Sequence, residues 1–297
     1  MCGRRLALLC GVSTGKLEYM SSRIETRGVG FQTVRLWIWL LILAPGPAVF
    51  CEAPTAATAA FQSYVGSVEG RLAEQHRSRD GFVATAGSKD GIDARLRKGE
   101  LSIEKLTPEG KADLPGAMLH DWRGTAFIRG ASVADFERLM KNFGAYPQVF
   151  SPQVMQARLL TKEEGADPSH FTVLMRVRQH HVITVVLDTT YDVTFGQLDA
   201  QHAYSISRST HISEISSPGT AKEHALSGSE EHGFLWRLNT YWSCEQRDDG
   251  IYVQIESVSL TRSIPTGLGW VIRPFVESVP RESLEFTLHA VCDALRK

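Results

Sequence analysis

Cysteine is scarce: the 297-residue chain has five, and only Cys244 and Cys292 lie beyond residue 59. So few thiols exclude a disulfide-dense scaffold and an all-cysteine metal cage. An excess of charge of one sign is missing as well. A formal balance of −1 supplies no basic face of the kind nucleic-acid binding needs. It also gives no reason to expect an acidic membrane surface as the main partner. No apolar run approaches the roughly 20 residues that cross a bilayer as a permanent span. HExxH, paired CxxC and dinucleotide-binding signatures are absent too. Gly11 to Lys16 looks like a phosphate loop but is one residue short between its glycines, with no strand before it. There is no internal repeat, and low complexity is confined to the Ala/Thr stretch at 53–60.

What is present divides at about residue 60. Arg23, Arg27 and Arg35 precede the run Leu36 to Ala44, followed by Pro45, Pro47 and a small-residue tract. A basic flank, a short apolar segment and Ala57-Thr58-Ala59 as a cleavage site have the layout of a secretory signal. Residues 1–59 are therefore expected to be a leader and the protein exported, to a periplasm or outside the cell. An uncleaved leader holding the chain near a membrane is the alternative. Met20 is a candidate start, and Cys51 follows the bulky Phe50 where lipoprotein processing wants a small residue. Without the leader, 26 basic and 30 acidic residues remain, a net charge of −4.

Phe61, Tyr64, Val65, Val68 and Leu72 recur at helical spacing, so 61–76 is expected to be an amphipathic helix. Leu96, Leu101, Ile103 and Leu106 alternate with charges and predict a strand or hairpin. Together 60–116 read as an accessory segment. The main body, 117–297, starts with a strand over 117–129. Ser132 and Asp135 then form a capping-box-like helix start, with the stripe Val133, Phe136, Leu139, Met140 and Phe143 behind it. A weaker helix runs to Phe150. From Val154 to Arg262 the period is two, which predicts five or six antiparallel strands with one buried face. Asp249-Gly250 marks a hairpin. Leu284, Leu288, Val291 and Leu295 line a long last helix, whose start is expected at Pro280.

That order resembles the START-like, or polyketide-cyclase and pollen-allergen, superfamily. The residues carrying the likeness are His120-Asp121-Trp122-Arg123-Gly124, Tyr146-Pro147, Gly233 to Trp242, and Ile264 to Trp270 running into Pro280-Arg281-Glu282-Ser283-Leu284. The likeness covers 117–297 and looks like an exported bacterial branch. It implies an α+β helix-grip fold, in which a curved antiparallel sheet wraps the long C-terminal helix. It also implies an elongated apolar cavity between them, and hence an apolar small-molecule partner, lipid-like or polyketide-like. A cyclase- or dehydratase-like enzyme, or an interaction module with a filled core, are alternatives on the same fold. No catalytic residue comes with the resemblance.

Within such a cavity, Trp122, Tyr191, Tyr204, Trp236 and Trp242 are candidates for stacking on a ligand or filling the core. Arg208, on the row of Tyr204 and Ile206, is a candidate for gripping a carboxylate or phosphate head group. Trp270, flanked by Gly267 and Gly269, is a candidate gate together with Phe275. Glu256 lies on the row of Tyr252, Gln254 and Arg262, expected to be a solvated face. Cys244 and Cys292 are read as a possible pair or as buried small hydrophobes. His180 and His181 point to opposite faces of a strand and cannot share an ion. No metal site and no cofactor are expected.

Overall fold

The computed structural model describes residues 52–84, 91–163, 168–180, 184–264 and 269–296, apart from the side chains of 229, 269–272, 274 and 275. The body of the leader, His181 and Gly267 lie outside these residues, as do the side chains of Trp270 and Phe275. The chain opens with α1 (Thr55–Gln75) and α2 (Ile92–Arg97). Next come β1 (Ser102–Lys105), β2 (Asp113–Leu114) and β3 (Ala117–Arg129). Two helices follow, α3 (Val133–Lys141) and α4 (Tyr146–Val149). The strands resume with β4 (Val154–Glu163), β5 (Ser169–His180), β6 (Thr184–Asp199) and β7 (His202–Ser216). After β8 (His224–Ala225) come β9 (Arg237–Arg247) and β10 (Gly250–Arg262), and α5 (Gly269–Leu295) ends the fold.

One antiparallel sheet runs in the order β1-β3-β10-β9-β7-β6-β5-β4, with β2 added beside β3 and β8 beside β7. The first strand of the main body thus pairs with the last, and the long helix lies across the sheet. This is the helix-grip architecture expected from the sequence. Local chemistry agrees at several points. Ser132 Oγ accepts from the Asp135 amide at 3.2 Å while Asp135 Oδ2 accepts from the Ser132 amide at 3.2 Å, a complete capping box. The β9–β10 loop is Asp248-Asp249, with Asp248 at φ 53°. Gly250 has already joined the strand, where a Cβ would lie 2.3 Å from the Ile128 carbonyl oxygen.

Both faces of the sheet are covered. On the concave side Leu284, Leu288, Val291, Cys292 and Leu295 of α5 pack with Ala126, Ile128, Trp242, Cys244, Val253 and Ile255, while Phe136, Met140, Phe143 and Tyr146 close one end. On the convex side Ala57, Phe61, Val65, Val68 and Leu72 of α1 cover Leu119, Trp236, Tyr241, Val258 and Leu260. Burying each of the larger side chains on that stripe contributes about 1.5–3 kcal/mol. Cys244 and Cys292 are free and buried, so the small-hydrophobe reading applies.

Two expectations about elements need correction. Leu96 belongs to α2, where it is buried under Phe127 and Tyr252, and the strand there is only Ser102–Lys105. The last helix begins at Gly269, so Pro280 lies inside it. An internal proline leaves the carbonyl of Val276 without its helical bond. Both residues are half-buried, so water can take that bond.

The approach of α5 to the sheet is set at Gly124. A Cβ there would lie 2.6 Å from Leu288 Cδ1, 2.7 Å from Leu284 Cδ2 and 2.9 Å from Ile103 Cδ1. All three atoms end side chains held in the concave core, so a methyl group must push the helix away. Gly124→Ala is expected to lower unfolding free energy by about 1–3 kcal/mol, measured by urea denaturation. Adding Leu288→Ala should make the combined loss smaller than the sum of the two single losses.

Candidate functional site

Directly opposed residues of an antiparallel pair share a face, so the concave side can be read as rows across the sheet. One row is Gly124–Ile255–Trp242–Ser205–Phe195. The next is Trp122–Ser257–Thr240–Ser207–Val193–Phe171. A third begins His120–Ser259–Leu238. It continues across β7, where Ser209 Oγ accepts from the Leu238 amide at 2.9 Å, to Tyr191 and Val173. The first row carries the large apolar side chains Ile255, Trp242 and Phe195, with Ser205 among them and Trp242 tilted against Phe136 at 5.7 Å between ring centroids. In the other two rows the middle of the sheet carries small hydroxyl side chains.

α5 treats these rows differently. Its C-terminal half is sealed on the first row, with Leu284, Leu288 and Val291 buried. Its N-terminal half has no fully buried side chain between Val276 and Ser283. That half is held from both flanks by polar contacts. Lys105 Nζ lies 3.9 Å from Glu277, Arg273 lies 3.4 Å from Glu277 and 3.0 Å from Asp113, and Gln179 donates to Ser283 Oγ at 3.4 Å.

Two polar groups stand out beneath it. The Trp122 indole nitrogen is buried and has no hydrogen-bond partner. His120 is 2% exposed and its Nε2 lies 3.1 Å from Thr261 Oγ1. Burial first, and then the charge of Lys105, push its imidazole down to about 4, so it is neutral near pH 7. Asp121 points to the other face, so the two make no proton relay.

Of the candidates named from sequence, Trp122, Tyr191 and Trp242 come together on the concave side. Tyr204, Arg208 and Trp236 do not: they lie on the convex side beneath α1. Tyr204 stacks on His76 at 4.6 Å. Arg208 Nε donates to Glu69 Oε1 at 2.7 Å, and the Tyr241 hydroxyl donates to the same oxygen at 3.1 Å. Trp236 precedes β9, so the alternation that placed it with Trp242 does not extend to it, and it packs against α1. Phe234, two residues before Trp236, is 39% exposed. The residues missed were Ser205, Ser207, Thr240, Ser257 and Ser259. Their signal was alternation itself: Ser205, Ser207 and Ser209 are the other row of β7, discounted because the Tyr204–Ile206 row is the more apolar.

Glu256 requires a correction too. It lies opposite Val253 and Ile255 as expected, but it is 2% exposed rather than solvated. α1 covers it, and it pairs with Arg71 and with Arg123, the latter at 3.1 Å. Beside it Asp121 Oδ2 accepts from the Tyr64 hydroxyl at 2.8 Å, while Oδ1 is buried without a partner. Elsewhere two open grooves occur. One, of about 460 Å³, is lined by Val149, Ser151, Phe286 and Ala290. The other, of about 290 Å³, is lined by Thr161, His170, Thr172 and Asp192. Neither includes Trp122, Thr240 or Ser257. Among the described residues no group of three or more His, Cys, Asp or Glu is placed to hold a metal ion.

No family model matches the chain, and no curated protein matches it. Among solved structures it is similar to a STAR-related lipid transfer protein from Xanthomonas axonopodis, at 18% identity and TM-score 0.41, over 66% of this chain and 99% of that one. It is similar to the Zhui aromatase/cyclase from Streptomyces sp. R1128, at 13% identity and TM-score 0.40, over 59% and 93%. Human STARD10 is similar at 7% identity and TM-score 0.39, over 69% and 81%. Identities and TM-scores this low say nothing of ligand or activity, and the helix-grip architecture rests on strand order and α5.

Burial, and then the neighbouring Glu256 charge, push the Asp121 carboxyl up to about 7, against the pull of Tyr64, Arg71 and Arg123. The folded state therefore holds the proton more tightly than the unfolded chain, whose value is near 3.8. Stability from this group is complete below about pH 4 and is lost as pH rises to about 7, by at most about 1.4 kcal/mol per pH unit. Asp121→Asn keeps an acceptor for Tyr64 and removes the charge. Denaturation across pH 5 to 8 should show the natural protein losing stability and the variant losing less.

Proposed function

We propose that the chain binds an apolar small molecule between the N-terminal half of α5 and the hydroxyl-bearing rows of the concave face, and does so outside the cytoplasm. The observation that carries the reading is the uneven closure of α5. Large side chains seal it from Leu284 to Leu295. From Val276 to Ser283 it has no fully buried side chain, over a sheet whose central positions are Ser207, Thr240, Ser257 and Ser259. Trp242 and Phe136 fill the closed end, which confines a ligand to the other. The cyclase-like alternative needs titratable groups that converge, and His120 faces these rows while Asp121, Glu256 and Arg208 lie on the opposite side. Export is supported by the basic flank and the short apolar run of the leader.

Native mass spectrometry of the exported protein, compared under gentle and denaturing conditions, should show an excess mass that denaturation removes. Thr240→Leu and Ser257→Leu place bulk in the middle of the rows without adding charge. Each should lower uptake from a lipid extract roughly tenfold, about 1.4 kcal/mol, with the melting temperature kept. A bare mass with no uptake, or uptake unaffected by both leucines, would overturn the reading.

The structure bears on where such a leader ends. Ala57 is fully buried in the first turn of α1, and the Thr58 amide donates to the Pro54 carbonyl at 2.9 Å. A cut after Ala59 would remove that turn from the convex core. The mature chain is therefore expected to begin at or before Pro54, as read by N-terminal sequencing of the exported protein; a start at Ala60 would contradict this.

A further inference from the structure

We infer that the molecule held under α5 is uncharged and carries an acceptor oxygen on an otherwise apolar skeleton, and that the Trp122 indole N–H is the donor that orients it. The inference rests on the binding reading above and specifies its ligand class.

Trp122 sits in the interior of β3, paired with Lys105 on one side and Ser257 on the other. A strand held on both edges cannot carry the indole to water without breaking its pairing. A buried donor left without a partner destabilises the fold, and native structures seldom leave one without a reason. A carbonyl, ester or alcohol oxygen supplied from the space beside the row would satisfy it. Ser257, Thr240 and Ser207, in line across the sheet from Trp122, add hydroxyl groups that suit the same kind of polar atom.

The charge around the rows argues against an acid. Of the cations at that end, Lys105 and Arg273 are engaged by Glu277 and Asp113, and Arg281 is exposed to solvent. The guanidinium expected to hold a head group, Arg208, is on the far face and bound to Glu69. His120, the imidazole on these rows, is neutral near pH 7. A carboxylate or phosphate entering here would lose its hydration, and neither Lys105, Arg273, Arg208 nor His120 is left to replace it. A neutral oxygen loses far less and gains the indole hydrogen bond.

The test uses the exported protein with its tryptophans labelled with nitrogen-15, and three probes of one chain length: methyl laurate, laurate and dodecane. Experiments are run at pH 8, where laurate is ionised. Methyl laurate should move one indole N–H signal downfield, the one missing in Trp122→Phe. It should also bind the natural protein about fivefold more tightly than that variant, the worth of one hydrogen bond. Dodecane should bind both proteins equally and leave the signal in place. Laurate should bind weakest. Equal affinity for ester and alkane, or tightest binding of laurate, would overturn the inference while leaving a bound apolar molecule in place. Uptake of none of the three would overturn both.

Discussion

The close approach of α5 to β3 at Gly124 governs the rest of the domain, because a helix can lie this near a strand only where the strand offers no side chain. Leu284 and Leu288 occupy the space that a Cβ would take. From that pivot the helix can be sealed in one direction only. Toward its C-terminus it meets Trp242, Cys244 and the aromatic residues of α3 and α4. Toward its N-terminus Lys105 on one flank and Gln179 on the other reach it by polar contacts. The proposed ligand site rests on this difference between a tightly packed end and a loosely held one.

The convex face follows different physics. Here Asp121 and Glu256 are buried in the middle of the sheet and meet α1 through Tyr64 and Arg71, while Arg208 and Tyr241 meet Glu69, and Ser243 meets His76 just past the end of α1. Buried ion pairs of this kind add little net stability once desolvation is counted, and their best-attested use is to fix register. The apolar stripe of α1 brings the helix to the sheet, and the polar pairs set where along it the helix stops. A helix that was an accessory layer in the sequence is in this sense a second wall of the fold.

Much of the architecture was legible from periodicity. The strand over 117–129 and the Ser132 cap are found where the residues placed them, and the stripe of α1 is the one that packs. What failed was the choice of face. Alternation in β7 separates Tyr204 and Ile206 from Ser205 and Ser207, but it cannot say which row meets which helix. The assumption that the apolar row faces the larger core holds only if the other side is wet. Since α1 buries that side too, Arg208 and Trp236 lie beneath it rather than on the concave face, and Glu256 is buried rather than solvated. Pro280 misled for a related reason: a proline reads as a boundary, but a half-exposed turn tolerates one inside a helix.

The pairing of α1 with β9 and β10 joins the two extremes of the chain. Glu69 meets Tyr241 across 172 residues, and Arg71 meets Glu256 across 185. Contacts of such sequence separation form late, because closing the intervening loop must precede any gain from the contact. The convex wall cannot assemble until the last hairpin has left the ribosome, and β3 waits equally long for β10. Within the β4–β7 meander strands pair with their sequence neighbours, so in a nascent chain it is α1 and β3 that wait longest for their partners.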